Sequence, residues 1–397
     1  MPWTAPAGRP LRKTAIYDRL AAQNAVFGAS YGLEHALWFA PEGMEPVENV
    51  TFGRSNAFGP VAEECKAVRT GVGMIEISSF AKYEVTGEGA EAWLSELMAN
   101  KMPRTGRMAL TPMLNKQGKI IGDFTIAKLA DDRFMIFGSG IAEMFHLRWF
   151  WDHLPESGVS IQSRCQDLVG LSIAGPKSAD LMAKLTHEDV STEAMPFMSF
   201  REMNLGMLIA MVGRVSFTGE RGYEIWVRPD YLITLYDMLV SAGAEFGLKH
   251  FGGRALNSLR LEKSFGGFRA EFTPDYSPFE AGLDRFVDMS KNSFIGRDAL
   301  VAEKETGGTY RLITLTIDVE DIDPIADEPI FHDGKAIGWV TSGGFGHFTG
   351  KSIAIGYVPK EFADKTDGFE VEILGKILKA HRIGAPLLDP KGALMRG

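Results

Sequence analysis

Cysteine is scarce in this chain, which has Cys65 and Cys165 as its two cysteines among 397 residues. Neither lies in a CxxC pair and no HExxH motif occurs, so the usual patterns of a structural zinc site are absent and no metal is expected. Cys65 shares a helical stripe with Val61 and Val68, which predicts a core position for its side chain. So few cysteines are typical of a reducing compartment, and we expect a cytoplasmic location.

Long apolar runs and runs of basic residues are also lacking. The longest apolar run, Leu205 to Val212, is far too short to cross a bilayer. The N-terminal stretch MPWTAPAGRPLRKT is basic, but no apolar segment follows it, so no secretory signal is predicted. A net charge of −9 without a Lys/Arg cluster argues against nucleic acid as a partner. The expected partner is therefore a small molecule.

Several motifs of nucleotide binding and nucleophilic catalysis are missing as well. No GxGxxG follows a strand and opens a helix, and neither a P-loop nor GxSxG is present. We therefore do not expect this chain to bind FAD or NAD in the dinucleotide manner.

The stretch PMLNKQGKIIGDFTIA, residues 112–127, carries the first candidate side chain. Asn115 to Gly118 is a turn signal, and the β-branched residues that follow predict a strand over Lys119–Ala127. Simple alternation places Ile121, Asp123 and Thr125 on one face of that strand. A carboxylate in the middle of a strand is uncommon. Asp123 lies either on a solvated face or in a functional site, and the local pattern leaves both open.

The stretch FTGERGYEIW, residues 217–226, carries the second candidate side chain, Glu224. Thr218–Gly222 is predicted to be a loop, after which Glu224 and Trp226 face one way and Tyr223 faces the other. A carboxylate can accept two parallel N–H bonds, such as those of the N3 and 2-amino groups of a pterin. The alternative is a surface glutamate paired with a neighbouring arginine, either Arg221 or Arg228. The pattern does not decide between them.

A third candidate lies in NSLRLEKSF, residues 257–265, which is predicted to be helical. Arg260 could hold the carboxylate of a substrate or cofactor. An arginine two residues before a glutamate is also typical of a solvated helix face, so both interpretations stand.

Hydrophobic periodicity divides the chain into two α+β units and a small all-β segment. Helices are predicted over Ile16–Ala25, Val61–Arg69, Ala90–Met98, Lys177–Leu185, Tyr231–Phe246 and Arg254–Lys263. Further strands are predicted over Lys82–Val85, Arg133–Phe137, Val169–Ile173, Met207–Phe217, Tyr223–Val227, Leu312–Ile317, Ala336–Val340, Ser352–Tyr357 and Val371–Leu374. Residues 31–60 are predicted to be irregular. The fold class is α+β, with an N-terminal extension at 1–45, a domain holding both α+β units at 46–300 and a β-barrel-like domain at 308–392.

Five ordered stretches, the last two being TPDYSPFEAGL and GWVTSGG, together resemble the tetrahydrofolate-dependent aminomethyltransferase (glycine-cleavage T protein) family. The resemblance covers residues 46–390 and is closest to the folate-binding C-terminal halves of dimethylglycine and sarcosine dehydrogenases. The segment RPLRKTAIYDRLAAQNAVFGASYGLEHALWFAPEG looks like the one that joins those halves to the flavin domain. The chain is therefore expected to be that folate half standing alone, free of flavin.

The resemblance implies a cloverleaf of three subdomains around a central folate channel. It implies that Asp123 is the catalytic carboxylate and that Glu224 holds the pterin edge. Phe217 falls where relatives have Tyr, so it keeps ring stacking without the hydroxyl. Tyr223 and Arg260 complete the predicted cofactor-binding set. Family members often have two aspartates at the catalytic strand, whereas here a glycine precedes Asp123.

The implied activity is a tetrahydrofolate-dependent one-carbon transferase or demethylase. It would act on a small methylated amine or sulfonium compound, as a dimethylsulfoniopropionate demethylase does, and form 5-methyl- or 5,10-methylenetetrahydrofolate. One alternative is the folate-binding subunit of a dimethylglycine- or sarcosine-type dehydrogenase whose flavoprotein is a separate partner. Another is a non-enzymatic folate-binding accessory protein, but neither cysteine lies in the KGC-type loop that such proteins carry.

Overall fold

The computed structural model describes residues 6–397, so the first part of the N-terminal stretch lies outside the described residues. The helices are α1 (Tyr17–Ala21), α2 (Phe58–Thr70), α3 (Ala90–Leu97), α4 (Glu143–Asp152), α5 (Ser178–Leu185), α6 (Leu232–Gly243), α7 (Gly253–Leu261), α8 (Arg297–Thr306) and α9 (Ala393–Arg396). Short 3-10 helices occur at Pro6–Gly8, Gly140–Ala142, Pro229–Tyr231, Ala244–Phe246, Asp284–Phe286 and Lys360–Phe362.

The strands found within residues 6–397 fall into four sheets. Those of the first half of the chain are β1 (Ala25–Ser30), β2 (Leu33–Phe39), β3 (Gly73–Glu76), β4 (Ala81–Thr86), β5 (Met108–Leu114), β6 (Ile120–Ala130), β7 (Arg133–Gly138), β8 (Ser160–Ser163) and β9 (Val169–Ala174). The others are β10 (Phe200–Leu205), β11 (Leu208–Gly213), β12 (Gly222–Val227), β13 (Lys249–His250), β14 (Tyr310–Ile317), β15 (Pro329–His332), β16 (Lys335–Gly346), β17 (Lys351–Pro359), β18 (Phe369–Ile373) and β19 (Lys376–Ile383).

The chain forms two compact units, each built from separate segments. The first gathers the described residues up to Lys82 with Ser163–Arg260 and Lys391–Gly397, and the second gathers Tyr83–Gln162 with Leu261–Pro390. These units have different boundaries from the predicted domains at 1–45, 46–300 and 308–392. The domain boundaries therefore stay a prediction.

The first unit is organised on a six-stranded sheet in the order β10-β11-β12-β9-β3-β13. One face packs against α5 and α6, whose apolar residues share a core with Tyr223 and Ile225 of β12. A second core joins α2 and α7 and includes Ala174 on the opposite face of β9. Cys65 is 1% exposed in this second core, which confirms its predicted place.

The second unit contains a five-stranded sheet in the order β5-β6-β7-β4-β8 and a closed barrel in the order β14-β17-β16-β15-β18-β19. The barrel confirms the predicted C-terminal β domain and the α+β class. The predicted turn before β6 is also present, because Gly118 has φ of 74° and its N–H donates to the Asn115 carbonyl at 2.9 Å. The Asn115 side chain accepts further bonds from the N–H groups of Gln117 and Lys119.

Three local predictions differ from the structure. The predicted helix Ile16–Ala25 ends at Ala21, and residues 31–60, predicted to be irregular, contain β2, which pairs with β1 as a hairpin. The predicted strand Met207–Phe217 is shorter in the structure, where β11 spans Leu208–Gly213, and its hairpin partner β10 (Phe200–Leu205) was not predicted. Gly206 turns the chain there at φ of 58°, and Leu205 pairs with Leu208. The turns at Asn24, with φ of 58°, and at Gly32, with φ of 75°, precede β1 and join it to β2, and such short turns are not visible in hydrophobic periodicity.

A buried ion pair fixes the loop that precedes β12. The guanidinium of Arg69 donates to Glu220 Oε1 at 2.9 Å and to the Thr218 carbonyl at 2.7 Å, and both side chains are at most 5% exposed. A third bond runs from Arg69 to the Leu259 carbonyl at 3.2 Å. The loop predicted over Thr218–Gly222 is therefore held against α2 and α7, which sets where β12 begins.

Candidate functional site

Asp123 lies in β6, the strand between β5 and β7, opposite Pro112. The pairing of β5 with β6 shifts register between Met113 and Leu114, and Ile121 has no opposite residue. Because this β-bulge interrupts the pleat, the simple alternation that predicts a shared face for Ile121 and Asp123 fails there. Thr125 stays in regular register with Asp123 and shares its face.

Gly122 precedes Asp123 because the space beside it is filled. A Cβ at this position would lie 2.6 Å from the ring of Phe124 and 2.9 Å from Nε2 of His146. His146 is buried, its Nε2 donates to the Ile121 carbonyl at 3.0 Å, and burial lowers its pKa to about 4, so the ring is neutral. A second carboxylate before Asp123 does not fit this packing, and Asp123 is the acidic residue that the strand presents.

Asp123 is half-buried, and the packing around its carboxyl group is dense. Burial, with a smaller contribution from the negative charge of Glu271, raises the pKa of Asp123 to about 7, although a hydrogen bond to the backbone of Asp123 itself opposes the shift. Near neutral pH the group therefore exists both as the acid and as the carboxylate. It can hold a proton or stabilise a positive charge brought next to it.

The negative charge of Glu271 acts on Asp123, and hydrogen bonds fix the Glu271 side chain in position. It is fully buried, and its Oε1 accepts bonds from the hydroxyls of Thr341, at 2.8 Å, and Ser342. Its Oε2 accepts the N–H of Gly267 at 2.9 Å. Glu271 could not be predicted from the sequence, because no local pattern places it near a strand formed much earlier in the chain.

Glu224 lies in the middle of β12, between Gly213 of β11 and Ser172 of β9. One of these neighbours has no side chain and the other has a small one, so the sheet leaves room beside the carboxyl group. Paired residues of antiparallel strands share a face, and Tyr223 on the next position joins the core under α5 and α6. Glu224 therefore stands on the opposite face of the sheet, as alternation predicts.

The carboxyl group of Glu224 is half-buried and accepts no hydrogen bond from any residue between 6 and 397. Burial alone raises its pKa to about 8. The alternative pairing with a neighbouring arginine is not present. Arg221 bonds the Tyr223 hydroxyl, at 3.0 Å, and the Val190 carbonyl, and Arg228 bonds Asp230. Glu224 is thus a strand carboxylate that lacks donors.

The other predicted cofactor-binding residues occupy different environments. Phe217 is 38% exposed on the loop before β12, where its ring is accessible for stacking. Tyr223 is fully buried, with its hydroxyl donating to the Val190 carbonyl at 3.4 Å. This position supports a role in holding β12 rather than contact with a ligand. Arg260 is 8% exposed at the end of α7 and donates to Oδ1 of Asn257 at 2.8 Å.

Metal sites and membrane-spanning helices are two further features considered for the described residues. Within residues 6–397, no three His, Cys, Asp or Glu side chains come together in a way that could hold a metal ion. Over the same span, no helix has both the length and the apolar character needed to cross a bilayer.

The raised pKa of Glu224 predicts how stability depends on pH. Because its folded pKa of about 8 exceeds the ordinary value of 4.5, the folded state binds more protons between these limits, and unfolding free energy falls as pH rises. Glu224→Gln should remove the part of this decrease in unfolding free energy that Glu224 causes, which is on the order of a few kcal/mol at about pH 8. Urea denaturation from about pH 5 to about pH 8 measures it. The exposed residue Glu193 supplies the control, Glu193→Gln. Equal pH slopes for wild type and Glu224→Gln would contradict the buried-carboxylate description.

Comparison with known proteins adds two family matches. The family model of the GCVT N-terminal domain matches residues 16–291. The model of the glycine cleavage T-protein C-terminal barrel domain matches residues 311–389. The solved structure titled glycine cleavage system aminomethyltransferase T from Bartonella henselae superposes with a TM-score of 0.82 over 96% of this chain and 99% of that one. At 23% identity this likeness shows the fold.

Two curated relatives are similar at the sequence level. Dimethylglycine dehydrogenase from Mus musculus is 34% identical over 98% of this chain and 45% of its own length. The 4-methylaminobutanoate oxidase (formaldehyde-forming) from Paenarthrobacter nicotinovorans is 34% identical over 98% of this chain and 48% of its own length. The chain thus spans about half the length of these relatives. The two family matches together cover most of the sequence, and the chain belongs to the glycine-cleavage T-protein (aminomethyltransferase) family, which is tetrahydrofolate-dependent.

Proposed function

We propose that this chain transfers a one-carbon unit from a small methylated amine or onium compound to tetrahydrofolate. The observation that carries the proposal is Glu224, a strand carboxylate desolvated without a donor among the described residues. A buried carboxylate needs N–H partners, and a pterin edge offers two that are parallel. The match between an acceptor without donors and a ligand with paired donors supports a folate-type ligand.

Three side chains of the first unit have the chemical character that such a ligand requires. Glu224 would hold the pterin edge, the accessible ring of Phe217 would stack on it, and Arg260 would attract a carboxylate of the folate tail. Bound tetrahydrofolate supplies the nucleophilic nitrogen that receives the one-carbon unit. The small neighbours of Glu224, Gly213 and Ser172, leave that face of the sheet open to a flat ring.

Asp123 is the proposed catalytic carboxylate of the second unit. One-carbon transfer passes through positively charged species, because the methyl group of a neutral amine is a very poor electrophile. With a pKa of about 7, Asp123 is ready to ionise next to such a charge and stabilise it. His146 bonds the Ile121 carbonyl at the bulge two residues before Asp123, and because its ring is neutral it adds no competing cation there.

The donor is proposed from chemistry and from the names of the relatives. Both names describe compounds that carry N-methyl groups, dimethylglycine and 4-methylaminobutanoate. Such amines must first be oxidised to an iminium, which a separate flavoprotein partner would do for this chain. An onium compound needs no oxidation, because its methyl group leaves a neutral product behind.

Product analysis with tetrahydrofolate and a panel of donors tests the function. We expect 5,10-methylenetetrahydrofolate from dimethylglycine or sarcosine only when an amine-oxidising flavoprotein is added, and 5-methyltetrahydrofolate from any onium substrate without it. Acceleration of product formation above the rate with flavoprotein alone is the required result. Folate binding without any acceleration would favour the non-enzymatic accessory protein and overturn the proposal.

Asp123→Asn tests the catalytic assignment. Loss of a positioned charged or proton-transfer group should lower turnover by roughly 10²–10⁴-fold, while tetrahydrofolate affinity changes little. Asp132→Asn, on an exposed turn at the end of the same strand pair, is the matched control and should keep normal turnover. Near-normal turnover of Asp123→Asn would remove this residue from the chemistry.

Glu224→Ala tests the pterin assignment. Loss of the charge-assisted bonds should weaken tetrahydrofolate binding by about 1.5–3 kcal/mol, measured by calorimetric titration. The fold should survive, because Glu224 forms no hydrogen bond with the described residues. Glu193→Ala is the exposed control in the same unit. An unchanged affinity would leave Glu224 without a role in folate binding.

A further inference from the structure

A cavity of about 210 Å³ lies in the first unit, beside the edge of the sheet formed by β3 and β13. Its wall combines residues of the sheet with residues of α1, α6, α7 and β2. Among them is Glu76, the last residue of β3. Cavities that hold drug-sized ligands usually measure about 300–1,000 Å³, so this one suits a smaller molecule.

Glu76 leaves one acceptor unused in this wall. Its Oε1 is buried without a hydrogen-bond partner among residues 6–397, while the hydroxyls of Thr14 and Ser78 bond the carboxyl group. Glu76 pairs with Leu171, a core residue of β9, so it stands on the sheet face opposite to Glu224. Neither Glu224 nor its neighbours Ser172 and Gly213 line the cavity, so it is distinct from the site proposed for the pterin.

Aromatic rings make up much of the remaining wall. Phe39, Phe80, Tyr236 and Phe251 all line the cavity. The π faces of such rings attract cations, most strongly where water is excluded. A wall of rings with one carboxylate is the combination that recognises alkylated ammonium groups, because methyl groups pack on the rings while the charge is balanced.

The other titratable groups near Glu76 add no positive charge to the wall. Burial lowers the pKa of His35, and it lowers that of His250 to about 4, so both rings are neutral near pH 7. The Tyr236 hydroxyl bonds Nε2 of His250 at 2.9 Å. The charge of Lys82 reaches Glu76, but Lys82 does not line the cavity and its Nζ donates to the Ser78 carbonyl at 2.8 Å.

We propose that this cavity binds a small alkylammonium cation, with Glu76 Oε1 accepting its N–H and the surrounding rings contacting its alkyl groups. The proposal concerns a second site and does not depend on folate. The class of ligand follows from the unpaired carboxylate oxygen, the aromatic wall and the absence of Lys and Arg among the described residues that line the cavity.

Calorimetric titration of the full chain, without folate, compares trimethylammonium chloride with its neutral isostere tert-butanol. The cation should bind at least about tenfold more tightly, because a charge-assisted bond and the cation–π contacts are both lost with the alcohol. Equal binding of the two would mean a plain apolar cavity and would overturn the proposal. Absence of binding by the cation would do the same.

Glu76→Gln keeps the size of the side chain and removes its charge. It should weaken trimethylammonium binding by at least about tenfold. Glu63→Gln, on the exposed side of α2 in the same unit, should bind as wild type does. Unchanged affinity in Glu76→Gln would contradict the site. Tetrahydrofolate affinity of Glu76→Gln should stay normal, so failure here is distinguishable from failure of the proposed function.

Proton release gives an independent readout in the wild type. Burial raises the pKa of Glu76 to about 7, so about half of the molecules carry the proton at that pH. A bound cation favours the carboxylate and should expel that fraction of a proton, measured by titration in two buffers of different ionisation enthalpy. Affinity should also fall as pH drops below about 7. Binding without proton release at about pH 7 would show that Glu76 does not contact the cation.

Discussion

The loss of water around carboxyl groups is the constraint on which the site regions depend. A carboxylate moved out of water must gain hydrogen bonds or charges of opposite sign, or its pKa rises and it becomes neutral. Glu224 gains neither from the described residues, and its pKa rises to about 8. The folded state tolerates the desolvation of Glu224 because other interactions stabilise β12. These are the ion pair of Arg69 with Glu220 and the apolar core on the other face of the strand.

Other buried carboxylates in this chain show how such groups are normally satisfied. Glu262 is fully buried and accepts the N–H groups of Phe348 and Thr349 at 2.9 and 2.8 Å. Glu280 is bonded by Lys119 and by several backbone N–H groups, which hold its pKa below the ordinary value despite burial. Both of these carboxylates are paired by several donors. Glu224 differs from them in accepting no bond from the described residues, and such unsatisfied groups cluster at functional positions.

Much of this architecture could be predicted from the sequence, because local rules govern it. The turn at Asn115, the strand carrying Glu224 and the C-terminal β domain follow from turn chemistry and from a period of two residues. The bulge at Ile121 could not be predicted, since it depends on the pairing of two strands. Nor could the influence of Glu271 on Asp123, which arises when distant segments assemble into one unit.

Glu224, which accepts no bond from the described residues, and Glu76, which has one oxygen that these residues leave unused, lie on opposite faces of the sheet of the first unit. Glu224 is paired with Ser172 and Glu76 with Leu171, and these two residues are consecutive in β9. Consecutive residues of a strand point to opposite sides, so a ligand on one face cannot contact the carboxylate of the other. The charge of neither carboxylate is among the causes that shift the pKa of the other. Since burial is the main cause of both shifts and no mutual charge effect is present, the two carboxylates should titrate independently.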